Sequence, residues 1–232
     1  MKRYIWFFLL LSLSCSGDKK EDSSAGMIEG YVQNADGTAI PGVQIIIDNS
    51  IFFNSNLSTK TDADGRYKIH IPTGSWYAFA IHAPVYNGRQ YRIYLHPDNA
   101  IGFGGEGATR NFVWQLTGAK PEPLSGYYGG VVTIDNFPGV YLDVTKIAFR
   151  FEPQGMLIDG SEGGVLFRSA TDGYQILDLP IGRYKVTAQY GPDKLKLRPW
   201  NTEETFKEEL IFDFEPQIAG NCDNCFKIEY NQ

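Results

Sequence analysis

The chain has 232 residues, of which 21% are charged and 14% aromatic, with 25 Gly, 12 Pro and three Cys. This composition is too apolar for a disordered chain, and the Gly residues have no three-residue period, which excludes collagen. The 21 Lys and Arg against 27 Asp and Glu give a net charge of −6. Because proteins that bind nucleic acids normally carry a basic surface, we expect no nucleic-acid partner.

The first 14 residues predict a secretory signal peptide. Two basic residues precede an apolar stretch from Ile5 to Leu13, which is too short to span a bilayer. Cys15 follows directly after this stretch and Ser14. The arrangement resembles a bacterial lipoprotein signal, although Ser12 stands where that family usually has Leu. The resemblance implies cleavage after residue 14 and lipidation of Cys15; the alternative is a plain signal peptide with an incidental Cys.

Residues 15–26 predict a flexible tether, because after Cys15 they contain no apolar side chain larger than Ala. Ser16 resembles an outer-membrane sorting residue, and the charged residues 18–22 are similar to the export signals of Bacteroidetes surface lipoproteins. Removal of residues 1–14 leaves 19 basic against 27 acidic residues, a net charge of −8. Anionic lipid would repel so acidic a chain, so the acyl chains must supply the membrane contact. We expect an outer-membrane lipoprotein on the periplasmic or cell-surface side.

From residue 27 onward, short apolar or alternating runs are separated by Gly, Pro, Asn and Asp at intervals of about 8–12 residues, which is typical of a β-sandwich. The predicted strands of a first module (residues 27–117) are Ile28–Gln33, Val43–Asp48, Tyr67–Ile71, Trp76–His82, Tyr91–Leu95 and Phe112–Leu116. Those of a second module (residues 125–232) are Gly130–Ile134, Lys146–Glu152, Val165–Arg168, Tyr174–Leu179, Tyr184–Tyr190, Glu209–Phe214 and Phe226–Tyr230. Residues 118–124, with two Pro and no strand pattern, are the predicted linker.

The two predicted modules share a block of residues at a constant offset of 108. The first copy comprises Asp64, Gly65, Pro72, Gly74 and Trp76, and the second comprises Asp172, Gly173, Pro180, Gly182 and Tyr184. We expect each copy to form a hairpin turn at Asp-Gly, a strand, a Pro-x-Gly corner and a strand that starts at the aromatic residue.

The first module carries several motifs in a fixed order. They are Gly30-Tyr31-Val32, Asp36-Gly37, Ile40-Pro41-Gly42-Val43, Asp62-Ala63-Asp64-Gly65-Arg66-Tyr67 and Pro72-x-Gly74. These motifs resemble the carboxypeptidase regulatory-like domain over residues 27 to about 117, and the second module resembles it only through the repeated block. The resemblance implies an all-β chain of two tandem transthyretin-like, Ig-like β-sandwiches. Despite its name, that family domain is not itself a peptidase; it is grouped with carbohydrate-binding-like folds and is usually structural or accessory.

No catalytic or metal-binding pattern accompanies these motifs. None of the three His residues, His70, His82 and His96, has a Glu or second His three or four residues away, as zinc sites usually require. The GxGxxG match at residues 102–107 is followed by a predicted strand rather than by a helix, so it lacks the context of a dinucleotide site. We therefore expect no metal, no cofactor, no catalytic residues and no enzymatic activity.

Cys222 and Cys225 form a CxxC motif. In a cytosolic protein this motif would indicate redox or metal chemistry. The chain is predicted to be exported, however, and no second CxxC is present. We therefore predict a short disulfide between these two residues.

The best candidates for ligand contacts lie in the irregular stretch 84–107, where we expect exposed aromatic and guanidinium groups. They are Tyr86, Arg89, Tyr91, Arg92, Tyr94 and Phe103. Such side chains can stack on sugar rings or on a protein partner and donate hydrogen bonds to hydroxyl groups. The sequence therefore predicts a non-catalytic, lipid-anchored module of the cell envelope that binds a glycan or a protein. The alternative is a structural or assembly component of an envelope complex with no ligand of its own.

Overall fold

The computed structural model of the chain describes residues 26–170, 173–218 and 222–232. The predicted signal peptide, Cys15 and the tether up to residue 25 lie outside the described residues, as do Asp172 and the side chain of Cys222. The described residues are almost entirely β-structure, with one 3-10 turn at Val144–Lys146. This confirms the predicted all-β, sandwich-like fold class.

The strands up to residue 114 are β1 (Met27–Asn34), β2 (Gln44–Asn49), β3 (Asn56–Lys60), β4 (Arg66–His70), β5 (Ser75–His82), β6 (Val85–Tyr86), β7 (Arg89–Gln90), β8 (Ile93–Tyr94), β9 (His96–Pro97), β10 (Phe103–Gly104), β11 (Gly107–Thr109) and β12 (Phe112–Trp114). The strands from residue 130 onward are β13 (Gly130–Asn136), β14 (Ile147–Pro153), β15 (Leu166–Arg168), β16 (Gln175–Leu179), β17 (Arg183–Tyr190), β18 (Asp193–Pro199), β19 (Leu210–Asp213), β20 (Glu215–Ile218) and β21 (Cys222–Asn231).

Two sheets pack face to face in the first module. In one sheet, β1 lies antiparallel to β4 on one side and parallel to β11 and β12 on the other, and β12 continues to β9. In the other sheet the order is β10-β5-β2-β3, with β8 also paired to β5. Alternate residues of β1 and β2 point between the sheets, so Ile28, Val32, Ile45 and Ile47 are fully buried.

The second module repeats these pairings. Strand β13 is antiparallel to β16 and parallel to β21, as β1 is to β4 and β12. Strand β14 is antiparallel to β15 and β17, as β2 is to β3 and β5. The repeated sequence block therefore corresponds to a repeated topology, and the described strands of the two modules lie on either side of the predicted linker.

One strand distinguishes the second module from the first. Strand β18 pairs with β17 through residues 193–195 and with β21 through residues 196–199. It therefore joins what would be two separate sheets into one nine-stranded sheet. The strands that the sequence did not predict include β18, β3 and β20, whose side chains are mostly polar.

The Asp-Gly turn of the first module differs from the predicted hairpin. Strands β3 and β4 flank the turn, but β3 pairs with β2 and β4 pairs with β1. The turn is thus a corner between the two sheets, in which the Asp62 carboxylate accepts hydrogen bonds from the N–H groups of Asp64 and Arg66, both at 2.9 Å. Gly65 has a φ of 71°, and a Cβ there would lie 2.5 Å from the Val32 carbonyl oxygen, so this position requires glycine.

The Pro-x-Gly corners have the same local structure in both modules. The Trp76 indole N–H donates to the Pro72 carbonyl at 3.2 Å, and the Tyr184 hydroxyl donates to the Pro180 carbonyl at 2.9 Å. In each corner the aromatic ring lies over the intervening glycine, where a Cβ would contact it. The repeated spacing therefore encodes an aromatic side chain that folds back over its own corner.

Candidate ligand-binding surfaces

The structure buries two of the six predicted contact residues. Tyr91 is 1% exposed and Phe103 is 8% exposed, so the expectation that their side chains are exposed is wrong. The Tyr91 hydroxyl donates to the Phe214 carbonyl at 2.7 Å, and burial raises the pKa of Tyr91 to about 12. Phe103 lies in β10 opposite Trp76, with the Arg110 guanidinium 5.0 Å from its ring centroid.

Two further predicted contact residues bind the second module. The Tyr86 hydroxyl donates to the Met156 carbonyl at 2.8 Å and accepts from the Arg183 N–H at 3.0 Å. Arg89 forms an ion pair with Glu215 at 2.8 Å. These contacts and that of Tyr91 all cross from the irregular stretch to the second module. Three of the six residues that the sequence suggested for a ligand, Tyr86, Arg89 and Tyr91, are therefore engaged in the contact between the modules.

Of the two remaining residues, Arg92 is exposed and lines a groove between the modules, whereas Tyr94 is half-buried. The groove measures about 440 Å³ and is lined by Arg92 from the first module and Asp223 from the second, among others. The Arg92 guanidinium lies 4.8 Å from the Tyr94 ring centroid, and the Lys120 ammonium lies 5.4 Å from it. Because two cations already lie against this ring, Tyr94 is a poor platform for stacking a sugar.

The predicted linker is also part of the contact between the modules. The Asp178 carboxylate accepts hydrogen bonds from the Gly118 N–H at 2.9 and 3.0 Å and from the Gly129 N–H at 3.1 Å. The His96 ring stacks on Tyr128 with centroids 3.5 Å apart. Burial lowers the pKa of His96, against the opposing effect of its hydrogen bond to a backbone carbonyl.

A second surface combines an exposed aromatic ring with polar side chains on the outer face of the first module. Along β1, Ile28 and Val32 point inward, so Glu29 and Tyr31 point outward. Tyr31 is 39% exposed. We call this surface the Tyr31 face, and it consists of Glu29, Tyr31, Arg66, Lys68, Thr109 and Asn111.

Strand pairing fixes the positions of these residues. Tyr31 lies opposite Arg66, and Glu29 lies opposite Lys68 with 3.6 Å between their charged groups. On the other side of β1, the Asn111 side-chain oxygen accepts from the Tyr31 N–H at 3.1 Å. The Asn111 amide group also donates to the Asp98 carboxylate at 2.7 Å, which fixes its orientation.

Gly30 allows this arrangement. A Cβ at Gly30 would lie 1.9 Å from the Arg110 carbonyl oxygen, so any side chain would push the crossing between β11 and β12 away from β1. The same carbonyl accepts a hydrogen bond from the buried Tyr67 hydroxyl at 2.7 Å, and burial raises the pKa of Tyr67. The Tyr31 face is therefore held on a rigid sheet from both sides.

An open groove of about 540 Å³ runs over the Tyr31 face. It offers a ring for stacking, guanidinium, ammonium and amide donors, and carboxylate and hydroxyl acceptors. Tyr31 is not among the contact residues predicted from the sequence. The alternation Ile28, Gly30, Val32 on one side of β1 was the signal that would have placed Tyr31 on the outer face.

No group of three or more His, Cys, Asp or Glu side chains within the described residues could hold a metal ion. Cys225 is disulfide-bonded, and the side chain of Cys222, its predicted partner, lies outside the description. Over the same residues, no helix has the length and apolar character that a membrane span requires.

The fold defines an all-β protein of two sandwich-like modules. Comparison with protein-family models matches residues 27–102 to the carboxypeptidase regulatory-like domain. This confirms the predicted resemblance over residues 27–102. The comparison with curated proteins gives no match.

Comparison with solved structures gives matches to proteins from several bacteria. The Bacillus anthracis TIE protein has a TM-score of 0.33 and 14% identity, over 89% of this chain and 34% of that one. A streptococcal ancillary pilin has a TM-score of 0.27 and 10% identity, over 90% of this chain and 63% of that one. A DUF3823 family protein from Bacteroides uniformis has a TM-score of 0.25 and 12% identity, over 81% of this chain and 98% of that one. The chain thus spans about a third of the length of the first of these proteins.

Proposed function

We propose that the protein is a non-catalytic, lipid-anchored component of the bacterial cell envelope that binds a glycan at the Tyr31 face. The observation that carries this proposal is the exposed Tyr31 ring between Arg66 on β4 and Asn111 beside β11. A pyranose ring has an apolar face that can stack on an aromatic side chain, while its hydroxyl groups pair with donors and acceptors at the edge of the ring. Because the strands already hold these groups in place, little ordering opposes binding.

The N-terminal sequence supports the anchoring part of this proposal. Cys15 would carry the lipid and the outer membrane would be the attached partner, on its periplasmic or cell-surface side. An acidic protein gains little from anionic lipid, so acylation would supply the attachment. Cys15→Ser should move the protein from the membrane fraction to the soluble fraction and remove its labelling by an alkyne fatty acid. Unchanged labelling of the Cys15→Ser variant would contradict acylation at this residue.

Binding is tested by a glycan array followed by calorimetry on the best glycan. Tyr31→Ala should weaken affinity by about 30-fold, because loss of an aromatic residue central to a binding site costs about 2 kcal/mol. Tyr141→Ala is the matched control, since Tyr141 is an 86% exposed tyrosine in a loop of the second module. Equal affinity of Tyr31→Ala and the wild type would refute the Tyr31 face as the site.

The alternative is a structural component of an envelope assembly without a ligand of its own. The use of Tyr86, Arg89 and Tyr91 in the contact between the modules favours it, because these residues are then unavailable to a ligand. This alternative predicts no glycan on the array and a protein complex in pulldowns from envelope extracts. Glycan binding that depends on Tyr31 would exclude it.

A further inference from the structure

The loop between β2 and β3 exposes three consecutive apolar side chains. Ile51 is 70% exposed, Phe52 66% and Phe53 102%. We call these three residues the apolar tip. Single exposed apolar residues are common on protein surfaces, but contiguous ones mark contact sites.

The backbone of this loop is held in a defined conformation. The Asn49 side-chain oxygen accepts hydrogen bonds from the N–H groups of Ile51 and Phe52, both at 2.9 Å. The Asn49 N–H donates to the Ser55 carbonyl at 2.9 Å and closes the loop, and Asn54 supplies the left-handed turn with a φ of 56°. The exposure of the apolar tip is thus a consequence of a hydrogen-bonded loop.

The second module provides an internal comparison. Its loop between β14 and β15 occupies the equivalent place in the repeated topology, and it turns Leu157 and Ile158 inward, where they are 6% and 8% exposed. Backbone hydrogen bonds from Leu157 to Ser161 and from Ile158 to Ile181 hold them there. That loop also exposes Met156 (54%) and Val165 (42%), but these two are separated in the chain. The described loop of the first module differs in presenting three consecutive apolar side chains to the outside.

The apolar tip lies at the end of the first module where the described chain begins. Ser50 donates its N–H to the Ser75 carbonyl at 2.9 Å, and Ser75 lies opposite Gly104 in the neighbouring strand. Two residues further along, the Glu106 carbonyl accepts from the Gly26 N–H at 3.3 Å. A short series of contacts therefore connects the tip to the residue at which the tether enters the domain.

This end of the module is free of charge over three segments. Residues 49–56, 71–75 and 102–105 contain no Asp, Glu, Lys or Arg, whereas 21% of the whole chain is charged. Asp48 and the exposed Glu106 border these segments, so the charge-free part is the loop that carries the tip. Apolar residues on a charge-free loop are suited to the interfacial region of a bilayer, because the loop has no charged group to be dehydrated there.

We propose that the apolar tip docks into the lipid bilayer to which the protein is anchored. This inference rests on the proposed acylation of Cys15. The 11 residues from 16 to 26 can span at most about 40 Å when fully extended, so the anchor keeps this end of the module close to the membrane. Insertion of the three side chains adds apolar contact to that of the acyl chains, and it does not depend on anionic lipid.

The experiment uses the full acylated chain, produced with its own N-terminus and reconstituted on phosphatidylcholine vesicles with or without brominated acyl chains. Phe53→Trp places a fluorophore at the tip, and Tyr141→Trp places one at an equally accessible site on the second module. Bromine quenches only fluorophores that reach the acyl region. Relative to the wild type, whose Trp76, Trp114 and Trp200 also emit, we expect a blue-shifted additional emission for Phe53→Trp that brominated lipid quenches. For Tyr141→Trp we expect additional emission that brominated lipid does not quench, and we expect no effect of salt on either variant.

Flotation of the vesicles separates the two proposals. Flotation of the protein without quenching of Phe53→Trp overturns docking of the tip and leaves the anchor intact. Failure to float overturns the anchor and docking with it. Sedimentation identifies the other occupant: a dimer of the acylated protein in detergent that Phe53→Ser dissociates would assign the tip to a second copy of the chain and overturn docking to lipid.

Discussion

Asp178 is the residue whose loss should most directly separate the two modules. It lies in β16 of the second module, and its carboxylate accepts hydrogen bonds from the N–H groups of Gly118, in the predicted linker, and Gly129, in the second module. Asp178 also has a φ of 59°, a left-handed conformation that Asp and Asn tolerate better than Ala. Asp178→Ala removes the acceptor for both N–H groups and places Ala in an unfavourable backbone conformation.

The size of the effect follows from these contacts. A hydrogen bond to a charged group contributes about 1.5–3 kcal/mol, and the partial exposure of this site favours the lower figure. The left-handed conformation adds about 1 kcal/mol for Ala. We therefore expect Asp178→Ala to lower the free energy of unfolding by about 3–4 kcal/mol, a large part of the 5–15 kcal/mol typical of a folded protein.

Urea denaturation measures this loss of stability, and a second variant separates the contribution of the hydrogen bonds from that of the backbone conformation. Asp178→Asn keeps one acceptor oxygen and tolerates the left-handed conformation, so it should lose less than half as much stability as Asp178→Ala. Asp159→Ala is the control, because its carboxylate accepts only from Ser161 within an exposed loop, and it should cost below about 1 kcal/mol. A loss below about 0.5 kcal/mol for Asp178→Ala, the range of ordinary surface substitutions, would refute the reasoning.

Two further predictions concern the same boundary and the Tyr31 face. Burial lowers the pKa of His96, so the folded state favours the neutral ring stacked on Tyr128. The contribution of this preference to the free energy of unfolding is complete above the usual His pKa of about 6.5, and it is lost as the pH falls through the lower pKa of the folded state. Thermal unfolding should show a smaller loss of stability at low pH for His96→Gln than for the wild type. The same dependence of the unfolding temperature on pH in both proteins would contradict this. Gly30→Ala should lower the free energy of unfolding by more than about 4 kcal/mol, because its Cβ would overlap the Arg110 carbonyl oxygen. Gly37→Ala is the control: it has open space around it and should lower the free energy of unfolding by only about 1 kcal/mol, from its positive φ. Similar circular-dichroism melts for the two variants would argue against the close approach at Gly30.

The sequence predicted the modules better than it predicted their surfaces. Residue spacing is a local property, so the offset of 108 correctly located the corners at Trp76 and Tyr184. Whether an aromatic residue is exposed depends on what packs against it. Tyr91 is buried where it meets the second module, and its hydroxyl donates a hydrogen bond to the Phe214 carbonyl, 123 residues away. No local pattern around Tyr91 encodes that contact.

Tyr31 illustrates the opposite case. Its outward direction follows from alternation along β1, which is local and visible in the sequence. The groups that surround it come from β4 and from Asn111, 80 residues away, so the composition of the Tyr31 face could not be derived from the sequence alone. The irregular, aromatic-rich stretch was a misleading indication of a ligand site, because a second module can use the same side chains.

The contacts between the modules affect how either proposed surface would act. Asp178 holds the linker at one place, and the hydrogen bond of Tyr91 and the ion pair of Arg89 hold the boundary at another. Two separate attachments oppose rotation about the linker more strongly than either would alone. A tip that docks into a bilayer would then fix the direction of both modules, and the Tyr31 face would be presented at a constant angle to the membrane. Asp178→Ala should loosen that angle without changing the affinity of the Tyr31 face, since none of the side chains in that face contacts Asp178.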